Sequence, residues 1–190
     1  MSLKGTKTEK NLLAAFAGES QARNRYTFYA KAAQKEGYHQ IANIFLETAE
    51  NERVHAKNFF KFLEGGMVEI QASYPAGTIS KTIDNLKAAA AGEHEEWTKL
   101  YADAAKIAKE EGFNEVSSLF EQISKVEKRH EERYNKLLEN INKNMVFKKD
   151  TEVEWKCLKC GYIHKGKTAP NICPACKHPQ AYYEVNNINY

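Results

Sequence analysis

The sequence predicts a mainly α protein: a four-helix bundle over residues 1–147, then a small metal domain over 152–190 with four cysteines and short β-strands. Three observations carry this. Residues 6–143 hold one proline, Pro75, and are rich in Ala, Glu, Lys and Leu, which favour helix. All four cysteines and the other three prolines fall within residues 157–179. The helical stretch also repeats itself once, at a shift of 75 residues. A linker is expected at Asn144–Glu152, around the charged run Lys148-Lys149-Asp150.

Apolar residues at helical spacing define four helices. The first opens at Thr6, with Glu9 as a capping-box partner, and its buried stripe reads Leu12, Phe16, Glu19, Tyr26, Ala30 and Ala33. Gly37 stops it. The second carries Ile41, Phe45, Thr48, Glu52, His55, Phe59 and Phe62 and is expected to end at Gly65-Gly66. The third carries Leu86, Ala90, Glu93, Trp97, Leu100, Ala104 and Ile107 and ends at Gly112. The fourth carries Val116, Phe120, Ile123, Glu127, His130, Tyr134 and Leu137. The first and third run to roughly 30 residues, or about 45 Å at about 1.5 Å per residue.

In the repeat, Tyr26 matches Tyr101, Gly37 matches Gly112, Phe45 matches Phe120, Glu52 matches Glu127 and His55 matches His130. Two such helical hairpins packed face to face make a pseudo-twofold bundle. The breaker-rich link at residues 66–79, containing Tyr74-Pro75-Ala76-Gly77, must cross it.

Each stripe carries an acidic side chain, and an ionised carboxylate inside a bundle is costly unless paired or bound to metal. Glu52 and His55 lie three apart, as do Glu127 and His130, so each pair projects from one helical face. Glu19 and Glu93 add one carboxylate from each remaining helix. One such pair alone is usually a solvated surface pair. Two at matched positions of a repeat, with two further Glu residues, form the pattern of carboxylate-bridged di-iron bundles. Carboxylate oxygens bridge two cations, and imidazole suits iron. Glu96 breaks the symmetry, because it lies one turn beyond Glu93 and its counterparts are Gln21 or Ala22. Spacing alone leaves it either a surface residue or a seventh ligand. Tyr26 and Tyr101 sit inside at matched positions and are expected to donate to ligand carboxylates.

The tail reads Trp155-Lys-Cys157-Leu-Lys-Cys160-Gly-Tyr162, then Cys173-Pro-Ala-Cys176. Two Cys-x-x-Cys pairs separated by 12 residues imply a tetrathiolate site. Geometry leaves zinc or iron open. The aromatic residues Trp155, Tyr162, Tyr182 and Tyr183, and the second redox-capable site, favour iron.

Composition excludes other classes. The net charge of +3, from 28 basic and 25 acidic residues, is too balanced for nucleic acid or membrane as the main partner. No run of 18 apolar residues and no apolar leader within Met1–Lys10 is present, so a cytoplasmic protein is expected.

Along almost its whole length the chain resembles the rubrerythrin family. The segment from Thr8 to Tyr26 resembles that family's first helix, and Glu52-Arg-Val-His55, Ala91-Gly-Glu93-His-Glu-Glu96 and Glu127-Lys-Arg-His130 fit its ligand motifs. The cysteine pairs fit its rubredoxin-like tail, after a ferritin-like bundle. The resemblance implies that Glu52 and Glu127 bridge two irons. Glu19 would be terminal on one iron, joined by Glu96 when oxidised and His55 when reduced. Glu93 and His130 would be terminal on the other. It implies three irons per chain, with zinc able to substitute, and reduction of hydrogen peroxide to water. Glu96, His55, Tyr26 and Tyr101 would serve the reaction. Electrons would pass through the four-cysteine iron from a rubredoxin or a separate nicotinamide-dependent reductase, since the chain has no Rossmann glycine fingerprint. A head-to-tail homodimer is implied as well. Two other classes remain: a ferritin-type ferroxidase, and a non-enzymatic bundle with a structural zinc ribbon.

Overall fold

The computed structural model describes residues 1–188; the last two residues of the expected 152–190 domain lie outside it. Helix α1 spans Lys7–Lys35, α2 His39–Phe60, α3 Thr82–Glu95, α4 Tyr101–Glu110 and α5 Asn114–Asn142. A π-helical turn, Glu96–Leu100, joins α3 to α4, so the two form one long rod. Four helical rods therefore form the ferritin-like bundle, and none is long and apolar enough to cross a membrane.

The helix ends follow from the sequence. Thr6 caps α1 by accepting from Glu9 N at 3.1 Å, while Glu9 Oε2 accepts from Gly5 N at 2.8 Å. The expected capping box is thus shifted by one residue on its return bond. Gly37 and Gly112 both adopt positive φ, +82° and +85°, and the next N–H reaches back to Ala33 O and Ala108 O respectively. Asn144 takes the same left-handed role after α5, with φ 55°. Helix α2 stops at Phe60, several residues before the expected Gly65-Gly66, and a short turn fills the interval. Both glycines still take positive φ, so they shape the link rather than the helix end.

The repeat extends to the caps. Thr8 N donates to Glu111 at 2.8 Å, and Thr82 N donates to Glu36 at 2.9 Å. Each hairpin thus caps the first helix of the other with the Glu that precedes its own turn glycine.

The core is two apolar blocks. One gathers Tyr26, Tyr29, Ile41, Phe45, Leu86, Tyr134 and Leu137. The other gathers Leu12, Phe59, Tyr101, Phe120 and Ile123. The acidic residues of the stripes lie between them along the helices.

Strand β1, Lys148–Cys157, begins within the segment expected as linker and pairs antiparallel with β2, Ile163–Thr168, and β3, Tyr183–Val185, in the order β2-β1-β3. A rubredoxin-like core of Trp155, Cys157, Cys173 and Tyr183 lies beneath. The Trp155 indole donates to Gly166 O at 2.9 Å. This unit rests on the start of α2, where Tyr182 stacks on His39 at 3.8 Å.

Candidate metal centres

Helix α2 supplies Glu52 and His55, α5 supplies Glu127 and His130, α1 supplies Glu19 and α3 supplies Glu93; all six are buried. They form two overlapping groups. Glu19, Glu52, His55 and Glu127 have ligand atoms within 4.8 Å of one another, and so have Glu52, Glu93, Glu127 and His130. Glu52 and Glu127 belong to both. His55 Nδ1 lies 2.9 Å from Glu127, 3.0 Å from Glu52 and 3.7 Å from Glu19. His130 Nδ1 lies 2.8 Å from Glu127, 3.3 Å from Glu52 and 3.7 Å from Glu93. The pseudo-twofold symmetry of the sequence thus becomes a pair of matching cradles with two shared walls.

The donor set fits two cations. Glu19 Oε2, Glu52 Oε1, Glu93 Oε2, both Glu127 oxygens and His130 Nδ1 are buried with no hydrogen-bond partner. Each such orphan costs about 1–3 kcal/mol. Even the 2.8 Å approach of His130 to Glu127 lacks hydrogen-bond geometry, as expected when both atoms aim at a common third point. The remaining groups are held in place. Tyr26 donates to Glu93 Oε1 and Tyr101 donates to Glu19 Oε1, each at 2.6 Å. Each tyrosine therefore reaches across to the carboxylate of the other hairpin.

Without a cation the cluster holds protons. Burial, then the Glu52 charge, pushes Glu93 up to about 8. Burial, followed by Glu52 and Glu127, raises Glu19 strongly. Burial opposes the charged forms of both imidazoles, but Glu127 and Glu52 outweigh it and bring His55 to about 9 and His130 to about 12. Burial also opposes ionisation of Glu52, yet the adjacent His130 and His55 imidazoles hold it down to about 2. A cation pair replaces these protons as the source of positive charge.

Glu96 stands apart. It joins neither four-residue group. It is half-buried at the wall of a cavity, and burial followed by the charges of Glu93, Glu127 and Glu52 raises it well above the ordinary carboxylate range, against Arg25. Its place comes from the π turn. Glu96 O accepts from Tyr101 N, an i→i+5 bond that absorbs one extra residue. Seven residues separate Glu19 from Tyr26, but eight separate Glu93 from Tyr101. The extra residue rotates the following turn, so Tyr101 points inward while Leu100, expected on the buried stripe, is 47% exposed. Neighbouring α5 holds the bulge: Ser124 Oγ donates to Trp97 O at 3.2 Å, and the Trp97 indole donates to Glu131 at 2.5 Å.

In the tail, Cys157 and Cys176 sulfurs lie 3.7 Å apart, as do those of Cys160 and Cys173, and all four lie within 4.8 Å. A disulfide needs about 2.05 Å. A tetrahedron with metal–sulfur bonds of about 2.3 Å has edges of about 3.8 Å. The spacing is therefore that of a four-thiolate metal site. Gly161 and Lys177 follow the two Cys-x-x-Cys turns with positive φ, 77° and 63°. Burial opposes ionisation of Cys173, but the Tyr183 hydroxyl and the Cys176 and Ala175 N–H groups hold it down to about 6. Of the four aromatic residues expected around the cysteines, Trp155 and Tyr183 pack with them. Tyr182 instead faces the bundle, because its ring is taken up by His39, and Tyr162 sits at the surface.

Sequence reading missed several contacts. Asn51 Oδ1 lies 3.3 Å from His130 Nε2 and fixes which ring nitrogen faces the carboxylates; its position one residue before Glu52 was the available signal. Tyr134, placed on the stripe as a core residue, packs edge-on against Tyr26 at 5.5 Å. Tyr74, in the link, donates to Ala14 O at 2.8 Å and ties the link over α1.

Comparison with known proteins agrees with this geometry. The rubrerythrin family model matches residues 10–138, and a rubrerythrin rubredoxin-like domain matches residues 155–184. Rubrerythrin-1 of Clostridium acetobutylicum is 64% identical over all of this chain and 99% of its own length. Rubrerythrin of Porphyromonas gingivalis is 60% identical over all of this chain and 94% of its own. A solved structure of fully reduced, all-ferrous nigerythrin superposes with a TM-score of 0.65 at 31% identity, covering 97% of this chain and 92% of that one. A ferritin-like di-iron site in the bundle and a four-cysteine rubredoxin-like site in the tail, on one chain with these relatives, place it in the rubrerythrin family.

Proposed function

We propose that the chain is a peroxidase that reduces hydrogen peroxide to water with two electrons and two protons. The observation that carries this is the pairing of two shared-wall cradles with a four-thiolate site on the same chain. One site stores an electron pair, and the other passes electrons singly.

Glu52 and Glu127 would bridge two irons, with Glu19 and His55 completing one cradle and Glu93 and His130 the other. Cys157, Cys160, Cys173 and Cys176 would hold a third iron, and zinc could occupy either kind of site. The all-ferrous state named for the related nigerythrin supports iron. Bound in the bundle, the iron pair supplies both electrons to the O–O bond together. The protein's own groups then do the rest. Tyr26 and Tyr101 fix the Glu93 and Glu19 carboxylates. Glu96, on the cavity wall with Tyr101, is placed to hold a proton and deliver it to the departing oxygen. Once ionised, it would be available as a ligand on the His55 side, the ligand change that the family resemblance implies.

Electrons return through the tail from a rubredoxin or a nicotinamide-dependent reductase in the cytoplasm. The tail rests at His39, and Glu52 lies about 20 Å further along α2 at about 1.5 Å per residue. Tunnelling falls exponentially with distance, so the bundle is better served by the tail of a second copy in a head-to-tail homodimer.

The competing reading is a ferroxidase. Stopped-flow oxidation of the reduced, iron-loaded protein separates the two. Peroxide is expected to oxidise it at least tenfold faster than dioxygen; equal rates would favour the ferroxidase.

A further inference from the structure

Hydrogen peroxide is two oxygen atoms, yet Glu96 and Tyr101 line a cavity of about 320 Å³. Water, with one oxygen, occupies about 30 Å³ in the liquid, so the space is roughly five times what a two-oxygen molecule needs. It falls within the range of pockets that hold organic ligands. Its walls carry both apolar and polar groups. Ala14, Ala15, Gly18, Ala104 and Phe120 make an apolar floor, and Tyr74-Pro75 of the link form the roof. Polar groups come from Glu96 and Tyr101, and also from Gln21 and Arg25; Tyr101 is hydrogen-bonded to Glu19 of the first cradle. The roof is fixed by the Tyr74 bond to Ala14 O at 2.8 Å, and a Cβ at Gly18 would meet only the Tyr74 ring, at 3.6 Å.

We propose that this cavity admits organic hydroperoxides, with the compact apolar group on the small-residue floor and the O–O end at Glu96 and Tyr101. The proposal rests on the peroxidase reading and names a further substrate class for the same site. The reaction balances as ROOH plus two electrons and two protons giving ROH and water. The O–O bond breaks, the electrons come from the reduced iron pair, and each oxygen gains a proton. The pair is restored by reduced nicotinamide acting through the tail. Small floor residues are what the apolar group requires, because each added methylene there takes its volume from the substrate and not from peroxide.

Two measurements test this on the full chain. In the first, zinc-loaded protein, which is redox-inactive, is titrated with cumyl alcohol and followed by the NMR signals of the cavity residues. Saturable shifts are expected at Gly18 and Ala104, and they should be lost in Ala14→Leu. In the second, reduced iron-loaded protein is mixed with cumene hydroperoxide or hydrogen peroxide. Both should oxidise the parent. Ala14→Leu should slow the organic substrate by roughly tenfold or more while hydrogen peroxide changes by less than about twofold. Gly18→Ala, which adds a single methyl group without strain, should show the same selectivity in smaller degree and serves if the larger substitution fails to fold. The proposal is overturned if hydrogen peroxide reacts but cumene hydroperoxide does not, if the alcohol does not bind, or if the substitutions slow both oxidants equally. If neither oxidant reacts, the peroxidase reading fails with it, whatever the alcohol titration gives.

Discussion

The two hairpins of the bundle start and end alike, and they differ by one residue in between. Thr8 and Thr82 are capped by Glu111 and Glu36, and both first helices stop at a positive-φ glycine. Between these ends the first rod is regular α-helix, whereas the second contains the π turn Glu96–Leu100. Matched residues before the turn stand 74 apart, as Glu19 and Glu93 do; those after it stand 75 apart, as Tyr26 and Tyr101 do. The inserted residue leaves both Tyr–Glu bonds intact at 2.6 Å while setting Glu96 at the cavity wall on one side only. A symmetric scaffold thereby gains an asymmetric site at the cost of one residue. Single π turns inside α-helices are frequent at functional sites.

The largest expected effect breaks what the two cradles share. Glu52→Ala removes a wall common to both, so metal analysis should find neither bundle site filled, while Glu19→Ala should keep one metal. Affinity should fall by more than the roughly 10–100-fold that an outer partner's loss costs. Retention of two metals by Glu52→Ala would refute the shared-wall arrangement.

Next in size is removal of the insertion. Deleting Thr98 should restore a regular helix and the seven-residue spacing of the first rod, with the fold and tail intact. The two irons of the iron-loaded parent should be unequal by Mössbauer spectroscopy, and the deletion should make them nearly equivalent. Unequal irons after the deletion would separate the asymmetry from the π turn.

Protons give the third test. Metal-free, Glu93 sits near 8, His55 near 9 and His130 near 12, so at pH 7 these groups hold protons that metal must displace. Calorimetry in buffers of different ionisation enthalpy should record proton release, with metal affinity rising from pH 7 to 9. Stability of the metal-free bundle runs the other way. The raised Glu93 favours the fold below its ordinary value of 4.5 and loses that contribution as pH rises through 8. The raised His55 contributes below 6.5 and loses it through 9. Glu52, held near 2, contributes above 4.5 and loses it only as pH falls toward 2. The metal-free melting temperature should therefore fall between about pH 5 and 9. A flat profile would count against buried protonated ligands.

The smallest effect compares the two tyrosines. Tyr26→Phe and Tyr101→Phe each leave one buried carboxylate oxygen without its donor, costing about 1–3 kcal/mol by thermal melting. Similar losses are expected, since the π turn preserves both bonds. A much smaller loss for Tyr101→Phe would mean that the insertion has loosened its side.

Most of the bundle was legible because its signals are local. The turn glycines, the Thr6 cap and the paired Glu-x-x-His spacings each act within a few residues, and the repeat doubles every signal. The insertion was also written in the sequence, as the change of shift from 74 to 75 between Glu19/Glu93 and Tyr26/Tyr101. It registered only as a missing partner for Glu96, because a uniform helical period puts Leu100 on the buried stripe. What was not legible depends on approach across the chain. Nothing near Tyr74 in sequence indicates that its hydroxyl meets Ala14 O, and nothing near Tyr182 indicates that its ring is taken by His39 rather than by the cysteines.

In the proposed peroxidase, Glu96, present on one side only, adapts a symmetric di-iron bundle to peroxide. Stopped-flow oxidation of reduced Glu96→Ala, set beside the parent with peroxide and with dioxygen, tests it most directly. Both irons should stay bound and the fold intact, while peroxide oxidation slows more than metal binding weakens and the preference for peroxide over dioxygen narrows. If the substitution changes neither rate, Glu96 has no part in the chemistry and the peroxidase account is contradicted.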